Sequence, residues 1–366
     1  MKKNEAAIKE PLIHITKRGA ISWKQAILVR VIAVLCALVV TAVVIMILAK
    51  ENPIKIYASM LSGAFGTSRR IWNLMNGTCI LLGISLAVTP AFRMKFWNCG
   101  AEGQTLVGGL ASAACMLYFG KALPLPVLFL VMIAASILAG ALWGFIPAIF
   151  KALFGTNETL FTLMMNYIAI QLINFCLKLW AKDGSGKLPV MPEYRFPKIF
   201  GQEYLLTVIV ILVICVLMYI YLKYSKQGYE ISVVGESENT AKYIGINVKK
   251  VIVRTMILSG ALCGLVGLLL VANGSCTIST DIVGGQGFTA IMVSWLAKFN
   301  PLFMVLTSFL ISFLNCGANQ ISTDFRLDTS ICDIITAIIL LFIIGCEFFV
   351  NYKIHFRKKV KEETEK

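Results

Sequence analysis

The sequence predicts an all-α polytopic membrane protein of about ten transmembrane helices, with short connections and one short cytoplasmic helix between two spans. Three observations predict it. The 366-residue chain is 58% hydrophobic and 14% charged, with a mean hydropathy of +0.80. Water-soluble globular domains do not have this composition. Apolar runs of about 20 residues, the length that crosses a hydrocarbon core, recur along the chain. The formal net charge is +15, yet the basic residues collect in tails and loops rather than on one continuous face. That pattern reads as topology signals and contacts to anionic lipid, and it excludes a basic nucleic-acid-binding face.

Candidate spans lie at roughly 27–48, 71–90, 97–119, 124–150, 159–180, 204–222, 251–272, 287–297, 302–320 and 331–350. The run 287–297 is too short to cross straight on its own and reads as a broken or half helix. The organisation is a basic tail at 1–26, a membrane domain at 27–350 and a charged tail at 351–366. With both tails cytoplasmic, loop lysines and arginines favour the inner side by roughly two to one. An eight-span arrangement keeps the same sidedness. The first apolar run is too long for a secretory signal and lacks a convincing cleavage site. The longest polar segments are an outer loop at 181–203, stiffened by Pro189, Pro192 and Pro197, and an inner loop at 223–250. No short-period repeat is visible, and hydropathy does not show an inverted repeat.

The stretch 96–104 is polar and glycine-rich between long apolar runs. Unpaired polar groups in hydrocarbon cost several kcal/mol. Asn98, Glu102 and Gln104 therefore need either a cavity or water path, or partners on neighbouring helices. Asn166, inside the fifth span, reads on its own as a helix–helix hydrogen-bonding residue. Asn157 fits the N-cap of that span. Gly260, Gly264 and Gly267 form a small-residue face suited to close helix packing. The run 284–287 reads as a tight loop without the strand-then-helix setting of a dinucleotide site.

In the inner loop, Ser237 is a good N-cap and Glu238 favours the positive end of a helix. Gly245 fits a left-handed C′ position, and Asn247 can cap the next helix. The result is a short, rigid, capped helix at 238–244, either an ordinary interfacial connector or a docking knob. The eleven cysteines lie mostly inside apolar runs with no C-x-x-C pair, and the two histidines, His14 and His355, lie in the tails. Metal chemistry and a disulfide framework are not expected.

Four stretches in order, 96–104, 155–169, 235–250 and the combination of 258–267 with 287–301, resemble the inner-membrane permeases of the branched-chain amino acid, ribose and nucleoside class of ABC importers. Glu102-Gly103-Gln104 is most similar to the simple-sugar and nucleoside branch. Trp97, Cys99, Trp295 and Phe299 depart from the residues commoner there. The resemblance implies a transmembrane permease subunit moving a nucleoside or simple sugar across the bacterial cytoplasmic (plasma) membrane. It implies a substrate pathway at Asn98, Glu102 and Gln104, with Asn166 and Trp295 as further lining. It also implies a coupling helix carrying Gly235, Glu238, Ala241, Tyr243, Gly245 and Asn247. The implied partners are a cytoplasmic ATP-binding cassette ATPase, a second permease subunit and an extracytoplasmic substrate-binding lipoprotein. No G-x-x-x-x-G-K-[ST] motif occurs, so ATP belongs to the partner and no cofactor is expected in this chain.

Two rivals stand beside this reading. One is a secondary transporter driven by an ion gradient, for which Glu102, Asp333 and Glu347 are available carboxylates. The other is an intramembrane enzyme. It would need a nucleophile–base pair or a metal cluster within the spans, and no histidine lies there.

Overall fold

The computed structural model describes residues 13–18, 22–48, 50–181 and 186–356. Its main elements are helices. In chain order they are α1 (Trp23–Leu48), α2 (Pro53–Phe65), α3 (Ser68–Arg93), α4 (Ala101–Phe119), α5 (Leu125–Phe154), α6 (Glu158–Trp180) and α7 (Leu205–Tyr224). Then come α8 (Lys226–Glu236), α9 (Glu238–Tyr243), α10 (Val248–Leu269), α11 (Gln286–Leu296), α12 (Pro301–Phe325) and α13 (Thr329–Asn351). A single π-helical turn, Leu270–Ser275, extends α10.

The chain divides into two compact units, Met1–Gly63 with Gly317–Lys366, and Ala64–Cys316. The expected membrane domain, 27–350, has residues in both units. In the first unit α1 packs along α13, and β1 (Ile13–Lys17) pairs antiparallel with β2 (Tyr352–Phe356), His14 opposite His355. This small ribbon is the exception to the all-α expectation. In addition, α1 begins at Trp23, inside the stretch read as tail. Apolar alternation in so short a strand is too weak a signal to find against a helical background.

Helix starts follow local chemistry. The Asn157 side chain accepts the Leu160 N–H at 3.1 Å, and Asn247 accepts that of Lys250 at 3.1 Å. Ser237 caps α9 through the Thr240 N–H. Gly245 follows with φ +84°, the left-handed position its lack of a Cβ permits. Two helices outside the expected spans, α2 and α8, carry the same signals. Asn52 accepts from the Ile54 N–H with Pro53 as the first helical residue, and Ser225 accepts from the Gly228 N–H.

The centre of the second unit is α10, packed on α3, α4 and α5. Its glycine face decides how closely. A Cβ on Gly260 would strike the Gly140 carbonyl oxygen of α5, and one on Gly264 would strike that of Ser136. A Cβ on Gly267 would strike the Thr105 carbonyl oxygen of α4. Helix association in lipid gains from this backbone-level approach, because lipid is as apolar as the side chains it would otherwise meet. The opposite faces of α5 and α7 expose Leu130, Leu138, Leu142, Val213, Val216 and Leu217, as hydrocarbon-facing helices do.

Seven helices among the described residues are long and apolar enough to cross a membrane: Ser68–Arg93, Leu125–Phe154, Glu158–Trp180, Leu205–Tyr224, Val248–Ser275, Pro301–Phe325 and Ser330–Asn351. Three of the expected ten spans are not among these seven. In α1, a helix of 26 residues, the apolar stretch found among the described residues is Val31–Ile47, and α4 is diluted by its polar first turn. With 11 residues, α11 spans about half of a ~30 Å hydrocarbon core.

Candidate functional site

The polar residues singled out in the sequence meet where the chain turns from α3 into α4. Asn98, Glu102, Gln104 and Asn166 are all buried. Asn98 and Gln104 exchange amide hydrogen bonds, Asn98 Nδ2 to Gln104 Oε1 at 3.4 Å and Gln104 Nε2 to Asn98 Oδ1 at 3.2 Å. Asn98 Nδ2 also donates to Ser259 Oγ of α10 at 3.0 Å, and its Oδ1 accepts the Gly100 N–H at 3.1 Å. From α6, Asn166 donates to the Cys99 carbonyl at 2.8 Å and accepts the Gly103 N–H at 2.9 Å. Thr162 Oγ1, one turn earlier, accepts the Cys99 N–H at 3.2 Å. The loop before α4 is thereby fastened to both α6 and α10.

Glu102 reaches across to α11. Its Oε1 accepts the Gly285 N–H at 2.9 Å and its Oε2 the Gly287 N–H at 2.7 Å. Gly285 has φ +75°, and α11 has no side-chain cap of its own. The carboxylate supplies that cap, a charged acceptor at the positive end of a helix. Gly287 is required for the approach, since a Cβ there would lie 2.5 Å from the Glu102 backbone nitrogen. The tight loop at 284–287 is therefore the partner of the 96–104 stretch. Sequence spacing could not join them, because the pairing crosses more than 180 residues.

Trp295 lies at the other end of α11 and is 51% exposed. Its ring sits 5.3 Å, centroid to centroid, from that of Trp97, itself 42% exposed. Trp97 meets Phe92 edge-on at 5.7 Å, and Phe92 stacks on Phe299 at 6.5 Å. Trp97, Phe92 and Phe299 are not among the expected pathway residues; the departure of Trp97 and Phe299 from the residues commoner in the family is the available signal, and Phe92 carries none. The structure thus separates a buried, internally satisfied polar knot from a half-exposed aromatic pair.

The inner loop also sorts into two faces. Ala241 is 0% exposed and packs in a cluster with Ile231, Val234, Val248 and Val251. A Cβ on Gly235 would strike the Arg93 carbonyl oxygen. These two residues seat α8 and α9 on the end of α3 and the start of α10. The expectation that Ala241 offers its side chain to a docking partner is corrected by this burial. Glu238, Lys242, Ile244, Gly245 and Asn247 are exposed, and Tyr243 is 92% exposed. An ion pair, Arg254 Nη2 to Glu230 Oε2 at 2.9 Å, ties α10 to α8.

Among the described residues, no group of three or more His, Cys, Asp or Glu comes together to hold a metal ion. The geometry holds helix ends in place and presents aromatic faces; it contains no nucleophile–base pair in the knot.

Residues 70–344 match the family described as branched-chain amino acid transport system / permease component. The chain belongs to that family and is a membrane-spanning permease component. It is 32% identical to the guanosine ABC transporter permease protein NupP of Bacillus subtilis, over 87% of this chain and 92% of that protein. It is 28% identical to the nucleoside ABC transporter permease protein NupB of Lactococcus lactis, over 93% and 97%. A third relative, the glucose ABC transporter permease protein TsgB13 of Haloferax volcanii, is 25% identical over 88% of each chain.

Proposed function

We propose that the chain forms one half of the membrane pathway of an ATP-driven importer whose cargo is a nucleoside. The observation that carries the cargo is the near full-length similarity to permeases named for guanosine and nucleosides. The half-exposed Trp97–Trp295 pair supports it. Indole faces stack on flat bases, whatever the base, and weak stacking lets a pathway release what it admits. A simple sugar is the second reading, favoured by the glucose relative alone. In this reading the buried knot of Asn98, Glu102, Gln104 and Asn166 fixes the wall on which the aromatic pair stands.

The membrane is the bacterial cytoplasmic membrane, with both termini cytoplasmic. Besides the seven long helices, α1 and α4 cross and α11 enters as a half helix. The exposed face of α9 docks on a separate ATPase, which alone uses ATP. Tyr243 and Ile244 are the exposed apolar groups that suit such a contact. A second permease and an extracytoplasmic binding lipoprotein complete the importer.

Uptake by the reconstituted assembly tests the cargo. We expect ATP-dependent entry of labelled guanosine, competed by other nucleosides and not by glucose. Trp295→Ala should change the range of nucleosides carried while the complex still assembles. Uptake that follows an ion gradient without ATP would overturn the reading in favour of a secondary transporter. Single cysteines at Gln202 and Lys242, in a background without native cysteines, test sidedness: the first should label from outside and the second should not.

A further inference from the structure

A groove of about 480 Å³ runs between the C-terminal end of α5 and the N-terminal end of α10. Its two walls are regular. Phe145, Ile149 and Leu153 follow one another at four-residue spacing on α5, and Lys249, Val253 and Ile257 do the same on α10. Residues four apart share one face of a helix, so each wall is a single row. Both helices are long and apolar enough to cross a membrane. At a rise of about 1.5 Å per residue, Phe145 and Ile257 lie roughly 13 Å inside the ends of these helices. The groove is thus apolar at depth and basic at its mouth, where Lys249 and Lys250 line it.

The two lysines have no structural duty at this place. Both fall in the first turn of α10, the positive end of a helix, where a cation is unfavourable. That end is already capped by Asn247, which accepts the Lys250 N–H, and the last turn of α5 carries its own cation, Lys151. The third cation on the groove, Arg254, is committed to Glu230 at 2.9 Å. Among the described residues no carboxylate lines the groove, and none forms an ion pair with Lys249 or Lys250.

We infer that this groove binds one anionic phospholipid, its phosphate on the Lys249 and Lys250 ammonium groups and an acyl chain between the two apolar rows. The lysines select a negative headgroup over a zwitterionic one. The depth of the groove selects a lipid over other anions. A soluble phosphate gains nothing from Phe145, Ile149, Val253 and Ile257, and a soluble protein docked on the lysines does not follow the groove into hydrocarbon. An acyl chain does, and it covers the apolar rows while the headgroup stays at the membrane surface. The site is separate from the Trp97–Trp295 pair, and it does not depend on the cargo.

The test uses the purified full chain in neutral detergent with equimolar phosphatidylglycerol and phosphatidylcholine, bound lipids being counted by native mass spectrometry. The wild-type protein should retain phosphatidylglycerol preferentially. The Lys249→Gln/Lys250→Gln double variant should lose this preference, by roughly fivefold in affinity for each lysine removed. Its lipid-free thermal midpoint should not fall, because no protein partner is lost, and the corresponding double arginine variant should keep the preference. Ala152→Trp fills the groove from the α5 wall without altering a charge and should also release the lipid. Ile257→Trp, on the opposite wall, carries that arm if Ala152→Trp does not fold. Equal retention of both lipids by the wild type, or unchanged preference in the double glutamine variant, overturns the site. Full preference in the folded tryptophan variant reduces the contact to surface attraction and overturns the groove. Thermal stabilisation by inorganic phosphate equal to that by phosphatidylglycerol overturns the lipid source. Lysine variants that keep the lipid preference but fail to hold an ATPase partner would assign the lysines to a protein contact instead.

Discussion

The knot at the start of α4 and the α8–α9 loop are both polar, glycine-containing interruptions between apolar helices, and they solve opposite problems. In the knot, four polar side chains are buried and satisfied by one another, by Ser259 of α10 or by backbone groups of α4, the preceding loop and α11. In the loop, the polar side chains of α9 face outward, and the small residues Gly235 and Ala241 are the buried ones. The difference shows that a polar residue next to a span is not by itself a contact for cargo. In low-dielectric surroundings the backbone amides at helix ends compete for every acceptor. Only residues left outside that competition, such as Trp295 in one region and Tyr243 in the other, remain available to something else.

The comparison breaks most visibly at Glu102. Glu102→Ala orphans the buried Gly287 N–H, at about 1–3 kcal/mol, and removes the acceptor of the part-buried Gly285 N–H. The expected result is a lower thermal midpoint and poor assembly in detergent, before any transport measurement. A variant of normal stability that fails only in transport would move Glu102 from the wall to the pathway.

Ala241→Glu comes next. It places a carboxylate among Ile231, Val234 and Val248 without a partner. Burying even a neutral polar group unpaired costs about 1–3 kcal/mol, and an ionised one costs more. The folded yield should fall. Tyr243→Ala, on the exposed face of the same helix, should leave stability within about 0.5 kcal/mol and lower the stimulation of ATP hydrolysis by cargo. Equal loss of stability in both variants would erase the two-faced description of α9.

Gly245→Val sharpens the same region through the backbone alone. No other atom lies within 4 Å of a Cβ built at Gly245, so the cost is the left-handed φ, about 1–2 kcal/mol. A thermal shift well beyond that range would point to a side-chain clash instead.

The smallest effect is expected in the 181–203 segment. Lys198, by hydrogen bonding, and then Arg195, by its charge, hold the Glu203 carboxyl below its ordinary value of 4.5. A lowered folded value means that the pair's stabilisation is present above pH 4.5 and is lost as the pH falls through the lowered value. The Glu203 side chain is 35% exposed and open to solvent screening, so the change should be small, read as an acid-dependent increase in proteolysis of this loop that Glu203→Gln abolishes.

Much of this was legible in the sequence because it is local. Ser237, Asn247, Asn157 and Gly245 cap helices within four residues of themselves, and they do so in the structure. The glycine face of α10 follows from periodicity on one helix, and its close packing on α4 and α5 is what small residues there permit. The caps of α2 and α8 are equally local, but these short helices lie between apolar runs that carry the stronger signal.

The amino-acid sequence by itself determined the solvent, the apolar helices, their caps and the family, since each is written in composition, in periodicity or in residues near one another along the chain. Tertiary structure alone decided the employment of the polar residues. Glu102 and Gly287 are neighbours only because α4 and α11 come together, and Ala241 is buried only because α8, α9 and α10 close around it. Burial and hydrogen-bond satisfaction belong to pairs of groups in space, and a one-dimensional pattern names the groups without naming the pairs.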